Sequence, residues 1–385
     1  MFTSNSSTNS SLFVFVATAF LAAHLHAADL QPPYVVKSLP GVEKFRFLPG
    51  PGNPRNSEGD FLELKDGRVM FVYTHFTGGG GDHSTAHLAA RFSPDQGKSW
   101  SSEDVTVLRN PSGLNVMSVS LLRLKSGEIA LFYLAKNTLE DCRPQVKFSS
   151  NEGQTWSEPI TCIAEPGYNV LNNDRAVQLK SGRLILPVAK HDFTGPRKAF
   201  NGKGEVRCHV SDDLGRTWQP TAMVARGADI TLQEPGLVEL KNGDLMMFAR
   251  TPHGSQYVSF SQDQGENWSE FGPSNIISPL SPATIERIPE TGDLLMAWNN
   301  HDQVADEYKN KRTPFNLAIS QDEGQTWTHV RTVEDDVNGW YCYTAMDFVG
   351  GNVLLGHCAG DRRSGGLSTS QITTIPLTWI YDKSE

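Results

Sequence analysis

Short, unbroken apolar runs recur along the chain, among them Val69-Met-Phe-Val-Tyr73, Ile129-Ala-Leu-Phe-Tyr133 and Leu245-Met-Met-Phe-Ala249. Runs of this length with no polar stripe at helical spacing predict strands covered on both faces. Ahead of each stands the same turn chemistry: Leu64-Lys-Asp-Gly67, Leu124-Lys-Ser-Gly127, Leu179-Lys-Ser-Gly182, Leu240-Lys-Asn-Gly243 and the variant Pro289-Glu-Thr-Gly292. A glycine turn between two hydrophobic segments predicts a tight hairpin.

A second repeat follows each inner run. Five octapeptides align without gaps: Ser93-Pro-Asp-Gln-Gly-Lys-Ser-Trp100, Ser149-Ser-Asn-Glu-Gly-Gln-Thr-Trp156, Ser211-Asp-Asp-Leu-Gly-Arg-Thr-Trp218, Ser261-Gln-Asp-Gln-Gly-Glu-Asn-Trp268 and Ser320-Gln-Asp-Glu-Gly-Gln-Thr-Trp327. Their tryptophans are 56, 62, 50 and 59 residues apart, close to the length of a four-stranded propeller blade. The Asp or Asn can accept backbone amides ahead of it, glycine supplies the positive φ, and Trp folds back as an apolar plug. These carboxylates are therefore structural and are poor catalytic candidates.

Each unit thus reads strand, Lys-x-Gly turn, buried inner strand, variable loop, strand, octapeptide turn, strand. A sixth unit opens near Tyr343, repeats the pattern in Phe348-Val-Gly-Gly-Asn-Val-Leu-Leu355 and ends in strand between Leu367 and Ile380 without an octapeptide. Tyr34–Phe47 is expected to pair with it and close the ring. The prediction is an all-β, six-bladed β-propeller filling residues 29–385, with no linker to a second domain.

Composition narrows the function. A formal net charge of −9 argues against a nucleic-acid partner, which needs a basic face. It leaves an anionic substrate open, since a few clustered arginines make a local positive site. Leu12–Ala23 is an apolar run of signal-peptide length, too short to span a bilayer, and small residues after it predict cleavage behind Ala27 or Ala28. Residues 1–28 are therefore expected to direct export, to the periplasm or outside the cell. No later segment is long and apolar enough for a membrane helix. The five cysteines, Cys142, Cys162, Cys208, Cys342 and Cys358, form no CxxC pair and no disulfide framework, although a Cys342–Cys358 pair is conceivable. His83 and His87 lack a third ligand for zinc, and Gly78–Gly81 lacks the Lys-Ser/Thr of a phosphate loop.

In their order and spacing the octapeptides resemble the Asp boxes of the sialidase (neuraminidase) superfamily, over roughly residues 45–380. The resemblance implies three arginines gripping a substrate carboxylate, an acid/base Asp and a Tyr nucleophile activated by a Glu, with no metal or organic cofactor. Gln233-Glu-Pro-Gly-Leu-Val-Glu-Leu-Lys-Asn-Gly-Asp-Leu-Met-Met-Phe-Ala-Arg250 resembles the segment carrying the activating Glu and one arginine, which assigns Glu234 and Arg250. Asp82, nine residues before Arg91 and just after Gly78–Gly81, matches the acid/base position. Arg312, with Lys311 as competitor, matches a second arginine; Tyr343, with Tyr341 as runner-up, matches the nucleophile. The third arginine is Arg55 by its spacing to Asp82, with Arg46 closer in local wording. Asn173-Asp174-Arg175 opens the third unit and offers Asp174 and Arg175 as further substrate contacts.

The chain departs from the superfamily in three respects. It lacks the Arg-Ile-Pro motif at the start of its first unit, it has His75 and Thr77 where an extra Arg is expected shortly before the acid/base Asp, and the Glu expected after the nucleophile strand is replaced by Leu354-Leu-Gly-His-Cys-Ala359. The implied activity is exo-hydrolysis of a terminal sialic acid or related acidic sugar from a glycan, with retention. Two alternatives remain open: a non-catalytic glycan-binding propeller, and a hydrolase or lyase acting on another uronate- or ulosonate-containing polysaccharide.

Overall fold

The computed structural model describes residues 39, 41–195, 198–225 and 230–382; the expected export segment, residues 1–28, lies outside them. The described chain is all-β, with one short helix, Leu377–Tyr381, and a single 3-10 turn, Asp306–Tyr308.

Four sheets have four strands each. One is built from Arg55–Glu63, Val69–Phe76, Ala86–Ser93 and Val105–Leu108, and another from Gln233–Glu239, Leu245–Arg250, Ser255–Ser261 and Gly272–Ile277. A third comprises Thr284–Arg287, Leu294–Trp298, Phe315–Ser320 and Thr328–Glu334. In the fourth, Glu43–Phe47 pairs antiparallel with Ser370–Pro376, beside Asn352–Asp361 and Gly339–Val349. The first strand therefore closes onto the last repeat, as expected for the part of Tyr34–Phe47 that is described. The second and third repeats share one nine-stranded sheet instead of forming separate ones. Tyr168–Val170 joins them, pairing parallel at Cys142 and antiparallel with Ala189–His191.

The hairpin turns follow from local chemistry. The Gly67 amide donates to the Leu64 carbonyl at 2.9 Å, and the Leu64 amide donates to the Arg68 carbonyl at 2.8 Å; Leu124–Gly127, Leu179–Gly182 and Leu240–Gly243 repeat the pattern. In the first octapeptide the Gly97 amide donates to Ser93 Oγ at 2.7 Å and the Ser99 amide to Asp95 Oδ1 at 2.8 Å, while Trp100 Nε1 donates to the Gly97 carbonyl at 3.2 Å. All five octapeptides make the Ser–Gly and Asp/Asn–amide bonds.

Each octapeptide glycine also packs against the preceding sheet. A Cβ on Gly153 would meet Met70, on Gly215 Phe148, on Gly265 Ile185, and on Gly324 Met246. On Gly97, in the first repeat, it would meet Leu354 of the last. The apolar core is accordingly divided into seams between successive repeats. One holds Leu295, Phe315, Met346 and Leu355 of the fifth and sixth; another holds Phe61, Phe71, Leu354 and Ile372 of the first and sixth. Each fully buried Leu, Ile or Phe in such a seam contributes about 1.5–3 kcal/mol of transfer free energy.

Candidate active site

The strands that open the repeats carry an irregularity where the site is built. Register shifts fall at Ser57/Asp60, Met117/Ser120, Gln233/Gly236 and Cys342/Ala345. Inside each shift one non-glycine residue takes a left-handed backbone: Glu58 at φ 53°, Ser118 at 58°, Glu234 at 50° and Tyr343 at 56°. A β-bulge re-aims a side chain out of the alternating pattern, at a cost of about 1–3 kcal/mol for each strained residue. All four of these side chains line one cavity of ≈ 280 Å³.

Asp82, Glu234, Arg250 and Tyr343, expected from the sequence, come together there. Tyr343 Oη donates to Glu234 Oε1 at 3.4 Å, and Arg250 Nη2 lies 3.1 Å from the same oxygen. Burial first, and then the charge of Glu234, push the Tyr343 phenol above its usual range; Arg250 and Arg312 oppose the shift. The Arg312 guanidinium stands 5.3 Å from the Tyr343 ring centre, and its Nη1 donates to Cys342 Sγ at 3.0 Å. Burial disfavours the Cys342 thiolate, but a hydrogen bond with Cys358 and the charge of Arg312 bring that thiol down to about 7. All five cysteines are free and buried, so Cys342 and Cys358 face each other across paired strands without a disulfide.

Arg55 is 1% exposed and lies behind the cavity. Its Nη1 donates to Asp82 Oδ1 at 2.5 Å and its Nη2 to Glu58 Oε1 at 3.1 Å, with the Phe76 ring 4.5 Å away. Burial alone would raise the Asp82 carboxyl; the charge and hydrogen bond of Arg55, followed by Lys136, hold it below the usual carboxylate range. The competing candidates fall elsewhere. Arg46 Nε donates to Gln371 at 2.8 Å, Lys311 Nζ to the Val337 carbonyl at 3.3 Å, and Tyr341 packs in the seam beside Phe315 and His357.

Asp174 and Arg175 do not join this cavity, which corrects the sequence expectation. They line a separate one of ≈ 360 Å³ with Asp60, Glu286 and Asp347. Asp174 has the left-handed backbone of the series, at φ 56°, but its Oδ2 is taken by the Met346 amide at 3.0 Å. Arg175 is 2% exposed and is spent on structure: Nη2 donates to the Ala283 carbonyl at 2.7 Å and Nη1 to the Asp174 carbonyl at 2.9 Å.

Several lining residues were missed by sequence reasoning. Glu58 holds Arg55 at 3.1 Å and also accepts from Ser118 Oγ at 2.7 Å. Burial raises its carboxyl, with Arg55 opposing. A signal existed: Glu58 stands nine residues before Gly67, as Glu234 does before Gly243 and Ser118 before Gly127. Lys136, His191 and an aromatic wall of Tyr168, Phe193 and Phe200 complete the cavity, Phe200 being 49% exposed at its rim. Phe193 and Phe200 come from the paired strands Phe193–Thr194 and Ala199–Phe200, which the repeat pattern gives no means to place.

An all-β chain with octapeptide turns and this cavity is a protein of the sialidase-like BNR type. It belongs to the BNR repeat-like domain family, whose model matches residues 102–352. A sialidase of Vibrio cholerae serotype O1 is 28% identical over 231 residues, covering 52% of this chain and 29% of the relative; the match thus spans less than a third of that protein. Among solved structures, a Dyadobacter fermentans protein of unknown function superposes with a TM-score of 0.69 at 19% identity, over 88% of this chain and 100% of that one. The leech intramolecular trans-sialidase superposes with 0.68 at 15% identity, over 87% and 70%. These two structures share the fold.

Proposed function

We propose that the protein is a retaining exo-glycosidase of sialidase type, releasing a terminal sialic acid or related acidic sugar from a glycan. The single observation that carries this reading is Glu234 Oε1 in reach of both the Tyr343 phenol, at 3.4 Å, and Arg250, at 3.1 Å. We also read the six strand repeats as the blades of a six-bladed propeller, because octapeptide contacts run from each of the second to fifth repeats to the one before it and from the first to the last.

In this account the substrate carboxylate is bound by Arg55, Arg250 and Arg312. Nε and Nη1 of Arg250 are buried without partners among the described residues, which leaves donors for it. Tyr343 Oη attacks the anomeric carbon as its proton passes to Glu234; a neutral phenol approaches an acid-bearing carbon without the repulsion a carboxylate would meet. The glycosidic C–O bond breaks and its oxygen takes a proton from Asp82. Water, giving a proton back to Asp82, then displaces Tyr343, whose oxygen recovers its proton from Glu234, and the sugar is released with retention.

Asp82 is held ionised by Arg55 in the free protein, whereas a general acid must carry a proton. Substrate resolves the conflict: its carboxylate competes for Arg55, removes the pairing and adds a like charge, and both raise Asp82 into its protonated form. The reading is tested with aryl glycosides of acidic sugars: release of the aryl group with an α-configured first product supports it. Tight binding of the sugar with no release would favour a glycan-binding protein instead.

A further inference from the structure

The reaction above leaves one buried cation of the cavity unused. Lys136 ends the strand Ile129–Lys136, whose other side chains are apolar core, and it is itself 1% exposed. Its Nζ donates to the backbone carbonyl of Asp82 at 2.7 Å and to Met117 Sδ at 3.2 Å. An ammonium carries three protons, and a thioether is a weak acceptor, so these contacts leave donor capacity unfilled. The Asp82 carboxylate is already bound to Arg55 at 2.5 Å, and the Tyr168 ring, 5.3 Å away, offers only its face. Asn172 lines the same cavity, and its buried Nδ2 has no partner among the described residues. An ammonium with a spare proton to donate and an unpartnered amide thus line the cavity beside the apolar side chains of Met117, Leu134 and Val170. In such surroundings an anion that meets a buried cation is held strongly.

We infer that Lys136 and Asn172 form a second anion subsite, so that the preferred sugar carries another anionic group besides the carboxylate bound by the arginines. Lys136 comes from the second repeat; of the three arginines, Arg55 of the first repeat is taken up by Asp82 and Glu58, whereas Arg250 and Arg312, from the fourth and fifth, stand beside Tyr343. The second group therefore belongs on the tail of the sugar's carbon chain, away from Arg250 and Arg312. A carboxylate and a sulfate ester satisfy the same donors. This inference rests on the cavity being a sugar-acid site, as proposed above.

The test uses three aryl ketosides of one sugar acid, whose tails end in a hydroxymethyl group, a carboxylate or a sulfate ester. The wild-type protein is expected to favour at least one dianionic substrate in kcat/KM by about tenfold, and the arm that responds identifies the group. Lys136→Met keeps the apolar stem, and it should lower kcat/KM for that substrate by about tenfold more than for the hydroxymethyl one. Wild-type preference for the hydroxymethyl tail overturns the inference. So does an equal loss on all three substrates in Lys136→Met, which would leave Lys136 only the task of holding the Asp82 loop. If no ketoside is cleaved, the proposed reaction fails, and calorimetry with the three free sugar acids decides the subsite by the same ranking. Should Lys136→Met not fold, the wild-type ranking and Asn172→Ala decide it.

Discussion

At the scale of single residues, the site depends on side chains turned out of register by strained backbone. Tyr343 and Glu234 lie 109 positions apart in the chain, yet both occupy the bulge of an opening strand. Removing the phenolic oxygen should leave the fold intact and abolish the chemistry, so Tyr343→Phe is expected to lose at least about 10²-fold in kcat. In the proposed reaction Glu58 keeps Arg55 oriented while Asp82 is exchanged. Glu58→Gln removes its charge and should lower kcat/KM by about tenfold, mostly through KM, in steady-state assays. The Arg55–Asp82 exchange makes a further prediction. Binding of a sugar acid near pH 6 should draw about one proton from solution, because Asp82 begins below the usual carboxylate range and ends above it. Calorimetry in buffers of different ionisation enthalpy would measure this, and an enthalpy independent of buffer would contradict the exchange.

At the scale of elements, the octapeptide turn and the Lys-x-Gly hairpin account for most of what the sequence makes legible. Their chemistry is local: a serine, an acidic or amide side chain, a glycine and a tryptophan within eight residues satisfy one another wherever they occur. Asp82, Glu234, Arg250 and Tyr343 were legible through the family resemblance, which assigned them to motif positions that the strand-and-hairpin pattern carries to one end of their sheets. Glu58 was not, since its partner Arg55 sits three residues away and nothing local separates that pairing from a surface one. Asp174 and Arg175 were misplaced because the amide that captures Asp174 belongs to Met346, 172 positions away. Lys136 reads in sequence only as the polar end of a strand.

The same turns give a paired test of packing. Gly97 has φ +87°, and a Cβ there would lie 2.0 Å from Leu354 Cδ2; Gly67 has φ +84° with open space around it. Gly67→Ala should therefore cost about 1–2 kcal/mol of backbone strain, and Gly97→Ala about 1–3 kcal/mol more from overpacking, both read from denaturant midpoints.

At the scale of the whole molecule, carboxylates are buried where the opening strands converge, away from the candidate active site. Burial above all, with Arg175 and the Met346 amide opposing, raises Asp174 to about 6; burial likewise raises Asp347 to about 7. Asp60 and Glu286, in the same cavity, are raised as well, by burial and then by the charge of Asp174. In these four groups the native state therefore holds protons that the unfolded chain releases near pH 4, and their contribution to stability falls as pH rises from about 4 to about 7. Asp347→Asn should flatten that fall and raise Tm at pH 8 by about 2 °C. A thermal-shift series across pH in both proteins checks it; a Tm difference between the two that does not change with pH would contradict the assignment of Asp347.

The measurement closest to the central claim is to trap the nucleophile. A difluorinated sugar acid with a good leaving group should add one glycosyl mass to the protein, and peptide mapping should locate it on Tyr343 and find none in Tyr343→Phe. Label on a carboxylate instead, or undiminished turnover in Tyr343→Phe, would contradict the account.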